Sequence, residues 1–67
     1  MNIEEIGTNA GKIWMYLSNK TGFVSILELK FNLKLSNTQL YLSLGWLARE
    51  DKIIFTIEGN ELKVKLK

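Results

Sequence analysis

Four polar residues, Ser36, Asn37, Thr38 and Gln39, stand immediately ahead of an apolar run spaced at helical intervals, and their chemistry suits recognition of a polar ligand better than catalysis. On the first turn of a helix the carboxamides of Asn37 and Gln39 can pair with an adenine edge, and the hydroxyls of Ser36 and Thr38 can hold phosphate. The same residues have a plainer use. Ser36 with Gln39 three residues on fits a capping box, leaving Asn37 and Thr38 as ordinary first-turn residues, and cap preferences favour this reading. A basic group follows near the end of the chain, where Lys52, Lys63, Lys65 and Lys67 could meet the phosphates of double-stranded DNA. Each phosphate neutralised contributes a salt slope of about −0.9, so three or four such contacts predict weak, sequence-tolerant binding. Lysines protecting a solvated edge strand explain the same residues at least as well. The third helix also holds no Lys or Arg before Arg49, which removes the commonest guanine contact.

Catalysis finds little to work with. The chain contains no His and no Cys, no phosphate-cradling glycine loop and no evident pair of carboxylates in a cleft, while Ser25 and Ser36 read as helix caps rather than nucleophiles. Glu4, Glu5, Glu28, Glu50, Asp51, Glu58 and Glu61 lack calcium-loop spacing, so no metal, cofactor or small-molecule substrate is expected. The absence of Cys fits a reducing cytoplasm, where the protein is expected to reside. No apolar run approaches the roughly 20 residues that span a bilayer, and the first charges are acidic, which predicts neither a membrane helix nor a signal peptide. A net charge of +2 permits nucleic-acid binding without demanding it.

The elements that would position these side chains follow from periodicity and caps. Asn2, with Glu5 three residues later, starts a first helix carrying Ile3, Ile6, Ala10, Ile13, Trp14 and Leu17 inward to about Asn19, with Lys20 favouring its C-terminal dipole and Gly22 stopping it. Phe23-Val24 can pair as a minor strand. Ser25, with Glu28 at the capping-box position, opens a short second helix that buries Ile26, Leu29 and Leu33 and ends between Asn32 and Lys34. The third helix starts at Ser36 and turns Leu40, Leu44, Leu47 and Ala48 to the core, leaving Tyr41, Leu42 and Ser43 with the polar first turn on its outer side. Gly59-Asn60 is a two-residue hairpin loop, which places Ile57 opposite Leu62, Phe55 opposite Val64 and Ile53 opposite Leu66 on a buried face. Ile54, Thr56, Glu58, Glu61, Lys63 and Lys65 then form the wet face.

Three helices and a C-terminal β-hairpin in this order predict an α+β winged helix-turn-helix in one domain, residues 1–67, with a short strand between the first two helices. The segment from Ser25 to Ile53, with Glu28-Leu29-Lys30, Leu35-Ser36 and the run LGWLAREDKI, resembles a family of small, largely uncharacterised prokaryotic winged helix-turn-helix proteins. That pattern usually carries Gly at the helix-turn-helix turn and after the third helix, where this chain has Lys34 and Asp51, and both positions call for positive φ. The resemblance implies a fold and a broadly regulatory class, with no ligand or catalytic residue attached.

At 67 residues with 46% hydrophobic content, the chain is too small to bury all its apolar side chains, and its core alone supplies only about 3 to 5 kcal/mol. A homodimer would address both points. Leu42 and Trp46, four residues apart, lie off the core stripe of the third helix with Tyr41 at its boundary, and Met15 lies beside the buried stripe of the first. Trp46 also suits the base of the hairpin as a corner of the core, the reading its burial tendency favours. Gly7 and Gly11 are one turn apart and let a helix approach closely, either the third helix through Gly45 or the first helix of a second copy. The two functions to separate are therefore a DNA-binding regulatory module and a protein-interaction or dimerisation module.

Overall fold

The computed structural model describes residues 1–67 as α1 (Ile3–Ser18), β1 (Val24–Ser25), α2 (Ile26–Leu33), α3 (Asn37–Arg49), β2 (Ile53–Glu58) and β3 (Glu61–Leu66). Side chains satisfy the free amides at each helix start. Asn2 Oδ1 accepts from the Glu5 N–H at 2.8 Å, and Ser25 Oγ accepts from Leu27 at 3.2 Å while its hydroxyl donates to Glu61 Oε1 on β3. Ser36 and Gln39 form the full reciprocal capping box. At Ser25 the box stays open, because Glu28 turns instead toward α1, where Tyr16 donates to it.

The ends of α2 and α3 are closed by the backbone. Lys34 and Asp51 both take the left-handed conformation, with φ of 55° and 60°. The Leu35 N–H reaches the Lys30 carbonyl at 3.0 Å, and the Lys52 N–H reaches that of Leu47 at 3.0 Å, which satisfies carbonyls left free at each terminus. Gly22, with φ of 77°, lies beyond the Asn19 cap and steers the chain into β1 rather than ending α1.

The three strands form an antiparallel sheet ordered β1-β3-β2. The hairpin register is the expected one, Ile53 opposite Leu66, Phe55 opposite Val64 and Ile57 opposite Leu62. The minor strand is shifted by one residue, pairing Val24 with Val64 and Ser25 with Lys63, which leaves Phe23 outside it.

One core joins all the elements. Ala10, Ile13 and Leu17 of α1 meet Leu40, Leu44 and Leu47 of α3, with Ile26 and Leu29 from α2 and Val24, Ile53 and Val64 from the sheet closing the other side. Several residues expected inside are outside. Ile3, Trp14 and Ala48 are exposed, because α3 lies along the Ala10 side of α1 and covers a narrower stripe than the apolar periodicity suggests. On the hairpin Ile53 and Val64 are buried and Leu62 and Leu66 pack against the core, whereas Phe55 and Ile57 are 42% and 71% exposed, because the helices cover the central β3 more fully than the edge strand β2. Ser43, expected on the outer side of α3, is fully buried and its hydroxyl has no partner. Asn9 is buried on α1 without any sequence signal having marked it.

Candidate nucleic-acid interface

The solvent-facing side of α3 is built from Asn37, Thr38, Tyr41, Leu42, Gly45, Ala48 and Arg49. Its capping box consumes two of the residues that could read a base or phosphate. Gln39 Oε1 accepts from the Ser36 N–H at 2.9 Å, and Ser36 Oγ accepts from the Gln39 N–H at 3.1 Å. Asn37 and Thr38 remain with exposed, uncommitted side chains on the first turn, and Tyr41 follows one turn on. Ser43 leaves the set, as its hydroxyl points into the core.

The β2–β3 hairpin, the wing of this fold, carries less free charge than its lysine count suggests. Lys63 Nζ lies 3.2 Å from Glu58 Oε1, Lys67 Nζ 2.6 Å from Asp51 Oδ2 and Lys52 Nζ 3.8 Å from Glu50 Oε1. Lys65 is half-buried, with its ammonium 5.1 Å above the Phe23 ring, a cation–π contact. Lys63 and Lys65 also belong to the central strand of the sheet, so they do not guard an edge. At the tip, Glu58 and Glu61 flank the Gly59-Asn60 turn.

Of the five cations without an ion pair, Lys12 lies on α1 and Lys65 on β3, and the other three belong to the helix-turn-helix. Lys30 in the last turn of α2, Lys34 in the turn and Arg49 at the end of α3 form no ion pair. Lys30 stands 5.8 Å from the ring centroid of Phe31, which is 71% exposed. Acidic side chains are absent from this stretch, from Leu29 through Arg49. In the sequence the lysines of the β2–β3 hairpin stand out by their alternation; Lys30 and Lys34 carry a signal too, since they are one helical turn apart and lead directly into α3.

The residues singled out for self-association divide. Gly7, Gly11, Met15 and Trp46 line one groove between α1 and α3, together with Trp14. Trp46 fills the place expected for Gly45: a Cβ on Gly7 would lie 3.8 Å from Trp46 Cζ2, whereas Gly45 and Gly11 face open space. Trp46 therefore packs on α1, partly buried against the core. Tyr41 and Leu42 are exposed on α3 and do not line the groove.

A helix-turn-helix whose second helix continues through a tight turn into a β-hairpin, with a third strand closing the sheet, defines a winged helix-turn-helix protein. Residues 1–66 match the family model described as a winged helix-turn-helix domain, DUF2582, and the chain belongs to that family. The chain is also similar to protein BT2368 from Bacteroides thetaiotaomicron. That solution NMR structure superposes with a TM-score of 0.84 at 35% identity, over 98% of this chain and 79% of the other. No curated protein matches the chain. No helix is long and apolar enough to cross a membrane.

Proposed function

We propose that the protein is a cytoplasmic DNA-binding module with a transcription-regulatory role, in which α3 enters the major groove and the helix-turn-helix supplies the phosphate contacts. The observation that carries this reading is the unpaired set Lys30, Lys34 and Arg49 around an α3 surface whose free polar groups are Asn37, Thr38 and Tyr41. Cations without acidic partners keep their full attraction for phosphate, whereas a lysine already held by a carboxylate must exchange one partner for another. Lys52 and Lys63, held by Glu50 and Glu58, play a minor part in this arrangement. The test is fluorescence anisotropy of a random-sequence duplex titrated with protein over a range of salt. Three phosphate contacts give a slope of about −2.7, and Lys30→Gln with Lys34→Gln reduces it by about 1.8, while Lys52→Gln with Lys63→Gln changes it little. Absence of binding at low salt, or a slope indifferent to the Lys30 and Lys34 changes, overturns the reading.

A second reading, a protein-interaction module, is favoured by the groove lined by Gly7, Gly11, Trp14, Met15 and Trp46. Exposed aromatic and Met side chains around a small-residue floor suit an incoming helix. Gly11 faces open space, so Gly11→Leu fills the groove without disturbing the fold. Under this reading the substitution changes the sedimenting mass of the protein or abolishes partner binding; an unaltered mass and partner set count against it.

A further inference from the structure

We propose that the outer edge of β2 is an interaction surface and that its occupant is β2 of a second copy, paired antiparallel about a two-fold axis at Phe55. The strand order leaves β2 with one free side, and neither a helix nor a loop hydrogen-bonds to it. Natural edge strands discourage such pairing with Lys, Pro, bulges or brevity. β2 has none of these: it is six residues of Ile-Ile-Phe-Thr-Ile-Glu in continuous register, with Ile54, Phe55 and Ile57 exposed.

Hydrogen-bond parity selects the register. The Lys67 N–H donates to the Lys52 carbonyl at 2.9 Å, and bonded pairs alternate along an antiparallel ladder, so Ile54, Thr56 and Glu58 face β3 with their backbone groups. The N–H and C=O of Ile53, Phe55 and Ile57 therefore point outward. The one symmetric pairing that uses all three sets Phe55 against Phe55 of the second copy and Ile53 against Ile57 in both directions. The same register sets Lys52 of each copy opposite Glu58 of the other and Ile54 opposite Thr56. Opposite charges meet at both ends, apolar or β-branched residues meet between them, and the contact is self-complementary as a two-fold interface requires. The result is a continuous six-stranded sheet. It shares only Lys52 with the α1–α3 groove, so Ile57→Lys distinguishes the two surfaces, and it is independent of what α3 binds.

The test combines sedimentation with amide hydrogen exchange on the full chain, without nucleic acid. The expected result is a mass that doubles as concentration rises, with protection appearing at the amides of Ile53, Phe55 and Ile57 in parallel. Ile57 is exposed, so Ile57→Lys keeps the fold and removes the dimer. Lys52→Glu weakens the dimer by setting Glu against Glu58, and Lys52→Glu with Glu58→Lys restores it. A monomer at all concentrations overturns the proposal. So does a dimer in which those amides stay unprotected and Ile57→Lys leaves the mass unchanged, which would place the contact elsewhere.

Discussion

The Tyr16 hydroxyl donates a 2.5 Å hydrogen bond to Oε2 of Glu28, tying the last turn of α1 to the first turn of α2. Lys20 completes the cluster, its ammonium 3.3 Å from the same carboxylate oxygen and 5.1 Å over the Tyr16 ring. Glu28 thus serves as the acceptor that fixes the angle at which the chain leaves α1 for the helix-turn-helix. The Tyr16 hydrogen bond and then the one from Lys20 hold the Glu28 carboxyl below its ordinary pKa, against some desolvation, while Tyr16 and Lys20 are both pushed up by Glu28.

A depressed carboxyl pKa contributes stability that is present above the unfolded value and lost as pH falls through the folded one. Wild-type protein should therefore lose more thermal stability than Glu28→Gln between neutral pH and acid, the difference opening below about pH 5. Carboxyl carbon NMR should also show Glu28 titrating at higher pH in Tyr16→Phe than in wild type. An unchanged midpoint would mean that the phenol does not hold the carboxylate in solution.

Lys34 and Asp51 occupy backbone conformations that suit glycine, and a non-glycine residue there costs about 1 to 2 kcal/mol. Lys34→Gly and Asp51→Gly should each stabilise the protein by about 0.5 to 1 kcal/mol, raising Tm by roughly 3 to 6 °C after the greater freedom of glycine in the unfolded chain is counted. Asp51→Gly forfeits the exposed pair with Lys67, a small loss. For Lys34 the two properties should separate, with thermal stability rising while duplex affinity falls. A lower Tm in both variants would show that the side chains matter more than the backbone.

The buried Ser43 hydroxyl without a partner carries a desolvation penalty that nothing repays. Ser43→Ala removes it and raises helix propensity, so stability should rise by about 1 kcal/mol in urea unfolding. Destabilisation would reveal a hydrogen bond formed in solution.

Ile13 is fully buried where the first and third helices meet the sheet. Ile13→Ala should cost about 2 to 5 kcal/mol, comparable with the whole stability of a chain this size, and leave a large unfolded fraction by circular dichroism at 37 °C. Native-like dispersion with little loss of Tm would mean that the cavity collapses.

Local chemistry made most of the fold legible from the residues. Ser25 and Ser36 act as caps because their hydroxyls need only nearby amides, and Gly59-Asn60 determines the hairpin register because the flanking strands have no alternative pairing so short. The left-handed turns at Lys34 and Asp51 were likewise marked by the pattern in which Gly usually stands there. Quantities that depend on distant partners were decided by tertiary structure. Whether a lysine is free or ion-paired turns on which acid the fold brings beside it, so Lys63, with Glu58 across the turn, drops behind Lys30 and Lys34. Whether a side chain is buried depends on which faces the other elements cover, which leaves Phe55 and Ile57 of the edge strand in solvent and takes Ser43 of α3 inside. Periodicity by itself identified the amphipathic elements and their turns; only their three-dimensional assembly decided which faces were covered and where the free charge lay, because burial and Coulomb attraction depend on distances in space rather than along the chain.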